Sequence, residues 1–456
     1  MTQTKFKENK MGTMAIPKLL ISMSLPMMLS MLVQALYNIV DSIFVAKINE
    51  AALTAVSLAY PIQNLMIAIV SGTCVGMNAL LSKKLGEKNH EAANITARNG
   101  IFLGVMSFLV MAVLGGFGAD FFMSTQTNNS QIHLYGTQYL RIVTTLSAGL
   151  FLAVTFSRIL QSTGKMVHAM IAQAAGAITN IILDPIFIFG MFGLPRMDVV
   201  GAAIATIIGQ FVEMSLTIIF NIKYNKELNL NMKDFRPNKQ IIGNIYKVGI
   251  PSSIMMSISS VLVFFMNKIL MAFSSTAVAV FGVYFKLQSF AFMPIFGLNN
   301  GMIPIIAFNY GARNKKRIMD TMKLSVCIAT GCMLTGLILF QIFPGELFGF
   351  FDASEHMLEI GIPALRILSI PFIFAGFNII TSSVFQALGN GVYSLIISVT
   401  RQLVVILPVA YVFAALFGLT SVWWSFIIAE IVAVVMNIYL FSRIKKEKID
   451  PISVTA

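Results

Sequence analysis

Charge is what this chain has least of. Only 11% of its 456 residues are Asp, Glu, Lys or Arg, against about 25% in an ordinary soluble domain, and this excludes a water-facing surface over most of the molecule. The scarcity is uneven, with 19 acidic residues against 32 basic ones. Cysteine is nearly missing. Cys74, Cys327 and Cys332 all fall inside apolar stretches, without metal-ligand spacing, and their odd number gives no disulfide framework. His90, His133, His168 and His356 are scattered and form no H-E-x-x-H or comparable cluster, which excludes a metal-hydrolase reading. No G-x-x-x-x-G-K-[ST] occurs and the polar segments are too short for a nucleotide-binding domain, so ATP-driven work by this chain alone is excluded. No nucleophile and base gather at one face, so no enzyme is expected and no cofactor is called for. A cleavable signal peptide is not expected either, because the polar start leads into an apolar run long enough to span a bilayer.

What the chain has instead is hydrophobicity, at 57% of residues, with 37 Phe and 29 Met. A spanning helix needs about 20 mostly apolar residues. Twelve such stretches are expected, centred on residues 17–46, 52–82, 94–119, 134–157, 164–190, 198–222, 241–271, 277–309, 318–344, 356–386, 392–417 and 419–443. Most of the basic residues fall on alternate, same-side segments, whereas the opposite side has only Lys47, Arg196 and Lys268. That is the positive-inside pattern with an even number of spans, which predicts a multi-pass bacterial-type plasma membrane protein with both termini cytoplasmic. The excess positive charge faces anionic lipid and needs no nucleic acid partner.

The sequence also repeats itself at about 225 residues. Pro26 recurs as Pro251, Gly76 as Gly301, Gly86 as Gly311, Gln161 as Gln386, Gly164 as Gly389 and Gly193 as Gly418. Such a period is too long for a solenoid unit. It predicts an all-α polytopic membrane protein of two six-helix bundles, residues 1–222 and 241–456, joined by a cytoplasmic linker at 223–240. Six spans per half keep the halves parallel, with a pseudo-twofold axis along the membrane normal.

Two acids stand inside spans where they are costly. Asp41 in the first and Asp184 in the fifth cost at least about 2.5–3.5 kcal/mol each if they face lipid, so they are expected to face the bundle interior. Pro185 disfavours helical geometry at Asp184 and removes a backbone donor, so a bend with freed carbonyl oxygens is expected there. Asn180 lies one turn earlier on the same face and adds an amide oxygen. Oxygens of this kind are what a hard cation needs. Tyr37 lies one turn before Asp41. Gln34, Gln161, Gln288, Gln386 and Asn378 also fall in or at spans, where hydrogen bonds between helices are the ordinary role. Glu213 and Glu430 occupy the sixth and twelfth spans, and Glu430 is divided between a functional role and an ion pair with a basic residue such as Arg401. Met256, Phe264 and Met293 are candidate cleft residues, since flexible thioethers suit adaptable binding surfaces.

Several motifs resemble the MATE (multidrug and toxic compound extrusion) transporters, most closely their DinF-like branch and its MepA-type exporters. They are Ser24-Leu25-Pro26-Met27-Met28, Asn180 through Gly190, Gly201-Ala202-Ala203-Ile204-Ala205-Thr206, and Gly418-Leu419-Thr420 through Glu430. The resemblance covers nearly the whole chain. It implies a V of two six-helix bundles, acting as a monomer, that exports amphipathic or cationic drugs in exchange for inward H⁺ or Na⁺. It also implies a cation-coupling site at Asp41, Asn180, Asp184 and Thr206, with Tyr37, Gln34, Gln161, Met256, Phe264, Met293 and Glu430 as candidate substrate-cavity residues. A lipid-linked oligosaccharide flippase on a related fold is the alternative. The repeat fails where the acids are. The counterpart of Asp41 is Met266 or Asn267, that of Asp184 is Pro408 or Val409, and that of Asn180 is Val404 or Val405. Ser259 stands where some relatives carry a seventh-span glutamate.

Overall fold

The computed structural model describes residues 9–233, 235–351 and 353–452, and among them every regular element is a helix. The long helices are α1 (Ile16–Ala46), α2 (Glu50–Gly86), α3 (His90–Gln126), α4 (Ser130–Thr145), α5 (Ala148–Ser162), α6 (Met166–Phe189) and α7 (Asp198–Tyr224). They continue as α8 (Lys239–Met271), α9 (Ser275–Gly311), α10 (Lys315–Ile342), α11 (Glu355–Ser369), α12 (Phe372–Ala387), α13 (Gly391–Phe417) and α14 (Leu419–Ile449). Ten are long and apolar enough to cross a membrane. The pairs α4–α5, bent by 44°, and α11–α12, bent by 48°, bring the number to twelve if each counts as one span.

The repeat is written into the backbone. Asn49, Asn89 and Asn129 cap the starts of α2, α3 and α4 with their side-chain oxygens, and Ser274, Asn314 and Ser354 do the same for α9, α10 and α11. Such caps satisfy amide groups that a helix start leaves open. Lys88 and Arg313 both take the left-handed conformation, at φ 56° and 54°, after the second helix of each half. The bonds Asn89 N–H to Lys84 O and Asn314 N–H to Asn309 O close the same helix ending there.

Packing divides the described residues into two compact units, 9–13 with 29–253, and 14–28 with 254–452. The division falls inside α1 and α8, two residues after Pro26 and two after Pro251. In the first unit, a Cβ on Gly72 or Gly76 of α2 would strike the α8 backbone near Ser253 and Ile245. In the second, a Cβ on Gly297 or Gly301 of α9 would strike α1 at Met28 and Ser24. Glycine at these four places lets helix backbones meet, the usual way helices pack where lipid gives no hydrophobic drive between them. In the first unit a core gathers the small Ala52, Ala59, Ala119, Ala202 and Ala203 around Tyr139, Leu140 and Ile188. Large apolar side chains point outward, including Leu25, Leu29, Leu32, Leu36, Ile39 and Ile43 along one face of α1.

One expectation fails. α6 runs unbroken from Met166 to Phe189 with Pro185 inside it, so Asp184 is helical. Pro185 removes one donor from the helix. The loss is confined to the carbonyl of Ile181, four residues before it, which has no helical donor. The helix ends five residues after Pro185 at Gly190, whose φ of 72° takes the left-handed turn.

Candidate functional site

In the first unit three helices each present a polar stripe at spacings of three and four residues. On α1 it is Ser30, Gln34, Tyr37 and Asp41, on the side away from the exposed leucines. On α6 it is Gln173, Asn180 and Asp184, with Gly176 between, and on α7 it is Thr206 and Glu213 around Gly209. Residues so spaced share a helix face.

Asp41, Asn180, Asp184 and Thr206 meet. Asp184 is wholly buried, Asn180 and Thr206 are buried, and Asp41 is half-buried. Asn180 Nδ2 donates to Asp184 Oδ1 at 3.3 Å and to Thr206 Oγ1 at 3.4 Å. The carboxyl groups of Asp41 and Asp184 come within hydrogen-bonding reach of each other. An amide nitrogen has two protons, and Asn180 spends both here. Asp41 Oδ1, Asp184 Oδ2 and Asn180 Oδ1 are then buried acceptors without a donor. Among the described residues no Lys, Arg or His forms an ion pair with either acid. Ionised carboxylates are kept from water only when paired, neutralised by a proton or bound to a cation. This all-oxygen set suits a proton or a hard monovalent ion. Among the described residues no group of three His, Cys, Asp or Glu could hold a metal.

Three contributors escaped the sequence reading. Gln63 Nε2 donates to the buried Tyr139 hydroxyl at 3.0 Å, and Tyr139 lies within electrostatic reach of Asp41, Tyr37 and Asp184. Gln173 Nε2 donates to Gln34 Oε1 at 3.0 Å and Gln173 Oε1 accepts from the Ser30 hydroxyl, which ties α6 to α1. A glutamine within each of two apolar runs was the available signal. Nothing local distinguishes Tyr139 from an ordinary packing tyrosine.

The α6–α7 seam is unusually close. A Cβ on Gly176 would sit 2.8 Å from Gly209 O, and one on Gly209 would sit 2.7 Å from Gly176 O and 3.1 Å from Asn180 Cβ. The close approach lets Asn180 reach Thr206. Gly176→Val should therefore push the helices apart, stretch that 3.4 Å bond and weaken ion binding about tenfold, at about 1.4 kcal/mol. Displacement of a bound dye by acid or by Na⁺ reads this directly, and an unmoved midpoint would show that the seam does not set the geometry.

Other candidates lie elsewhere. Gln161 accepts from Arg158 Nη1 at 2.9 Å and donates to Ser157. The Phe156 carbonyl accepts from Asn221, fifteen residues and about 22 Å of helix beyond Thr206, so Gln161 belongs to the far end of this unit. Glu430 is in the second unit, where Arg401 Nη1 approaches its Oε1 at 2.5 Å and Asn378 Nδ2 donates to its Oε2 at 2.5 Å. Of the two readings open to Glu430, the ion pair is present. Met256, Phe264 and Met293 also belong to the second unit. Met256 and Phe264 are exposed, and Lys268 Nζ lies 4.8 Å over the Phe264 ring.

The MatE family profile matches residues 26–186 and 251–412, one match in each half of the repeat. The multidrug export protein MepA of Staphylococcus haemolyticus (strain JCSC1435) is 28% identical over 427 residues, 93% of each chain. MepA of Staphylococcus aureus (strain bovine RF122 / ET3-1) is 27% identical over 414 residues, 91% of this chain and 90% of its own. A solved structure of a multidrug resistance MATE family transporter of the MOP superfamily, in its outward-facing conformation, is 26% identical and superimposes with a TM-score of 0.91 over 98% of this chain and 100% of its own. Matched in both halves of its repeat, the chain belongs to the MatE family of multi-pass membrane transporters and is not an enzyme.

Proposed function

We propose that this protein exports amphipathic, often cationic, drugs by alternating access, in exchange for H⁺ or Na⁺ moving inward at Asp41, Asn180, Asp184 and Thr206. The observation that carries the reading is the trio of donorless buried oxygens on Asp41, Asp184 and Asn180. An inward cation completes that set, and each inward charge supplies about 2.3 kcal/mol per 100 mV of membrane potential. Loading it neutralises the acids that would hold a cationic drug, so drug and ion exclude each other. Tyr37 and Gln34, on the same face of α1 as Asp41, line the path of the drug. The two repeats, 1–222 and 241–456, serve as lobes joined by the 223–240 segment. The basic side, with both termini, lies in the cytoplasm of a bacterial-type cell, and the protein works as a monomer.

Efflux from vesicles reconstituted with purified protein tests this, with H⁺ and Na⁺ gradients imposed separately across a panel of cationic and neutral dyes. Export of cationic dyes under one gradient is expected. No dye moved under either gradient would overturn the reading and favour lipid-linked oligosaccharide flipping.

A further inference from the structure

Four acids, Asp41, Asp184, Glu213 and Glu430, lie more than eight residues from either end of their spanning helix or in the buried polar stripes described above, and three of them face a partner in the structure. Asp41 and Asp184 face each other and Glu430 pairs with Arg401. Glu213, in the middle of α7, forms no ion pair among the described residues. It does not face outward. The exposed face of α7 is Phe211, Ser215, Ile219 and Ile222, and Glu213 stands two residues, about 200°, from Phe211. Its carboxylate lies over α6 at Gly176, 3.6 Å from where a Cβ would be. The missing side chain leaves room for it.

Glu213 is also one rung of a series. Thr206, Gln210, Glu213, Thr217, Asn221 and Asn225 follow one another at intervals of three or four along the inward face of α7. Asn221 Nδ2 donates to Thr217 O, and Asn225 Nδ2 donates to Asn221 Oδ1 at 3.0 Å. Gln210 Oε1 and the 98%-buried Asn225 Oδ1 are buried acceptors without donors, like those of Asp41, Asn180 and Asp184 at the head of the series. Two such oxygens in the α7 series, with three more at the acid pair, are more than packing between helices requires, since interhelical polar side chains ordinarily satisfy one another. The series ends beside Glu227, where Asn9 Nδ2 donates at 2.8 Å and Lys165 Nζ lies at 3.6 Å, half-exposed. Gly176, under the Glu213 carboxylate, is one turn before Asn180 on α6, and Asn180 Nδ2 donates to Asp184 Oδ1, so α6 joins the acid pair to the single acid.

We infer that Glu213 is a second station for the coupling cation, which receives it from the Asp41–Asp184 pair along the α6–α7 seam and passes it down the inward face of α7 to the end of the lobe that carries Lys165 and Lys223. Thr206 and Glu213 are seven residues apart, about 10 Å of helix, so the station is separate from the first site. This rests on the proposed antiport. A proton arrives as the acid form of Glu213 and leaves to water near Asn225. A Na⁺ arrives as a carboxylate-bound ion and leaves the same way.

Wild type, Glu213→Gln, Glu213→Asp and Asp184→Asn are reconstituted, and ethidium export is followed under a pH gradient without Na⁺ and under a Na⁺ gradient at constant pH. The arm that drives the wild type names the cation. In that arm Glu213→Gln should slow export at least about tenfold, while Glu213→Asp recovers a third or more of the rate. Displacement of ethidium from detergent-solubilised Glu213→Gln by acid or Na⁺ should keep its midpoint within about threefold of wild type, unlike Asp184→Asn. Glu213→Gln export at the wild-type rate overturns the inference. So does a displacement midpoint shifted as far as that of Asp184→Asn, because Glu213 would then belong to the first site. If Glu213→Gln does not fold, Glu213→Asp carries the test, and an unchanged export rate and pH profile in that variant overturns the inference. Wild-type vesicles that export under neither gradient overturn the antiport itself, a distinguishable outcome.

Discussion

Asparagine in place of both Asp41 and Asp184 should abolish gradient-driven export, a fall of at least about 100-fold or 2.7 kcal/mol of barrier, and should weaken the binding of a cationic dye to the detergent-solubilised protein. Asparagine matches aspartate in size, so the close packing around Asp184 is kept. What goes is the charge. The new amide also brings donors to a place where Asp41 Oδ1 and Asp184 Oδ2 lack them, so the site satisfies itself without an ion. The single variants should each lose nearly as much as the double, because one ion is held by both carboxylates and groups acting as a unit are far from additive. Single losses that sum to the double loss would mean two independent ion sites. Export surviving in the double variant would remove the pair from the mechanism.

The second large effect belongs to the other unit. Arg401→Met alone should destabilise the folded protein by about 3–5 kcal/mol, because it strands Glu430 without its counter-ion. Glu430 is 8% exposed, and the remaining contact from Asn378, itself held by Asn437, cannot neutralise it. Arg401→Met combined with Glu430→Gln should recover most of the loss, to within about 1 kcal/mol of wild type, since swapping both charges for neutral groups of similar size removes the desolvation cost as well. Thermal unfolding in detergent gives the cycle. The export rate of the double variant decides what Glu430 is for. Retained transport makes the pair a brace between α12, α13 and α14, and lost transport with restored stability gives it a part in handling substrate.

Some of this was legible residue by residue. The cost of an acid in lipid picked out Asp41 and Asp184, and helix spacing added Asn180. The repeat was legible in its prolines and glycines, and the structure added the matched caps Asn49 and Ser274, and Asn89 and Asn314. The helical geometry of Asp184 was not legible, because a proline's preference against helix at the residue before it gave way to a helix that runs on to Phe189. Gln161 looked like a cavity residue because a glutamine in an apolar run is unusual wherever it sits. Only the contact between Asn221 and Phe156 shows that it lies at the far end of the lobe. Tyr139 and Gln63 gave no signal, being ordinary residues made relevant by what they touch.

By itself the sequence determined the membrane, the two-fold repeat, the even count of spans and the lobe that carries the acids. These follow from hydrophobicity, charge and spacing, which are properties of residues in order. The tertiary structure decided which polar groups meet across helices. Gly176 and Gly209 bring α6 and α7 together closely enough for Asn180 to bridge Asp184 and Thr206. The fold gives Glu430 a counter-ion and, among the described residues, gives Glu213 none. It also divides α1 and α8 between two packing units after their prolines. Contacts between residues far apart in the chain depend on how closely two backbones approach, and a helix period read along one strand of sequence carries no measure of that distance.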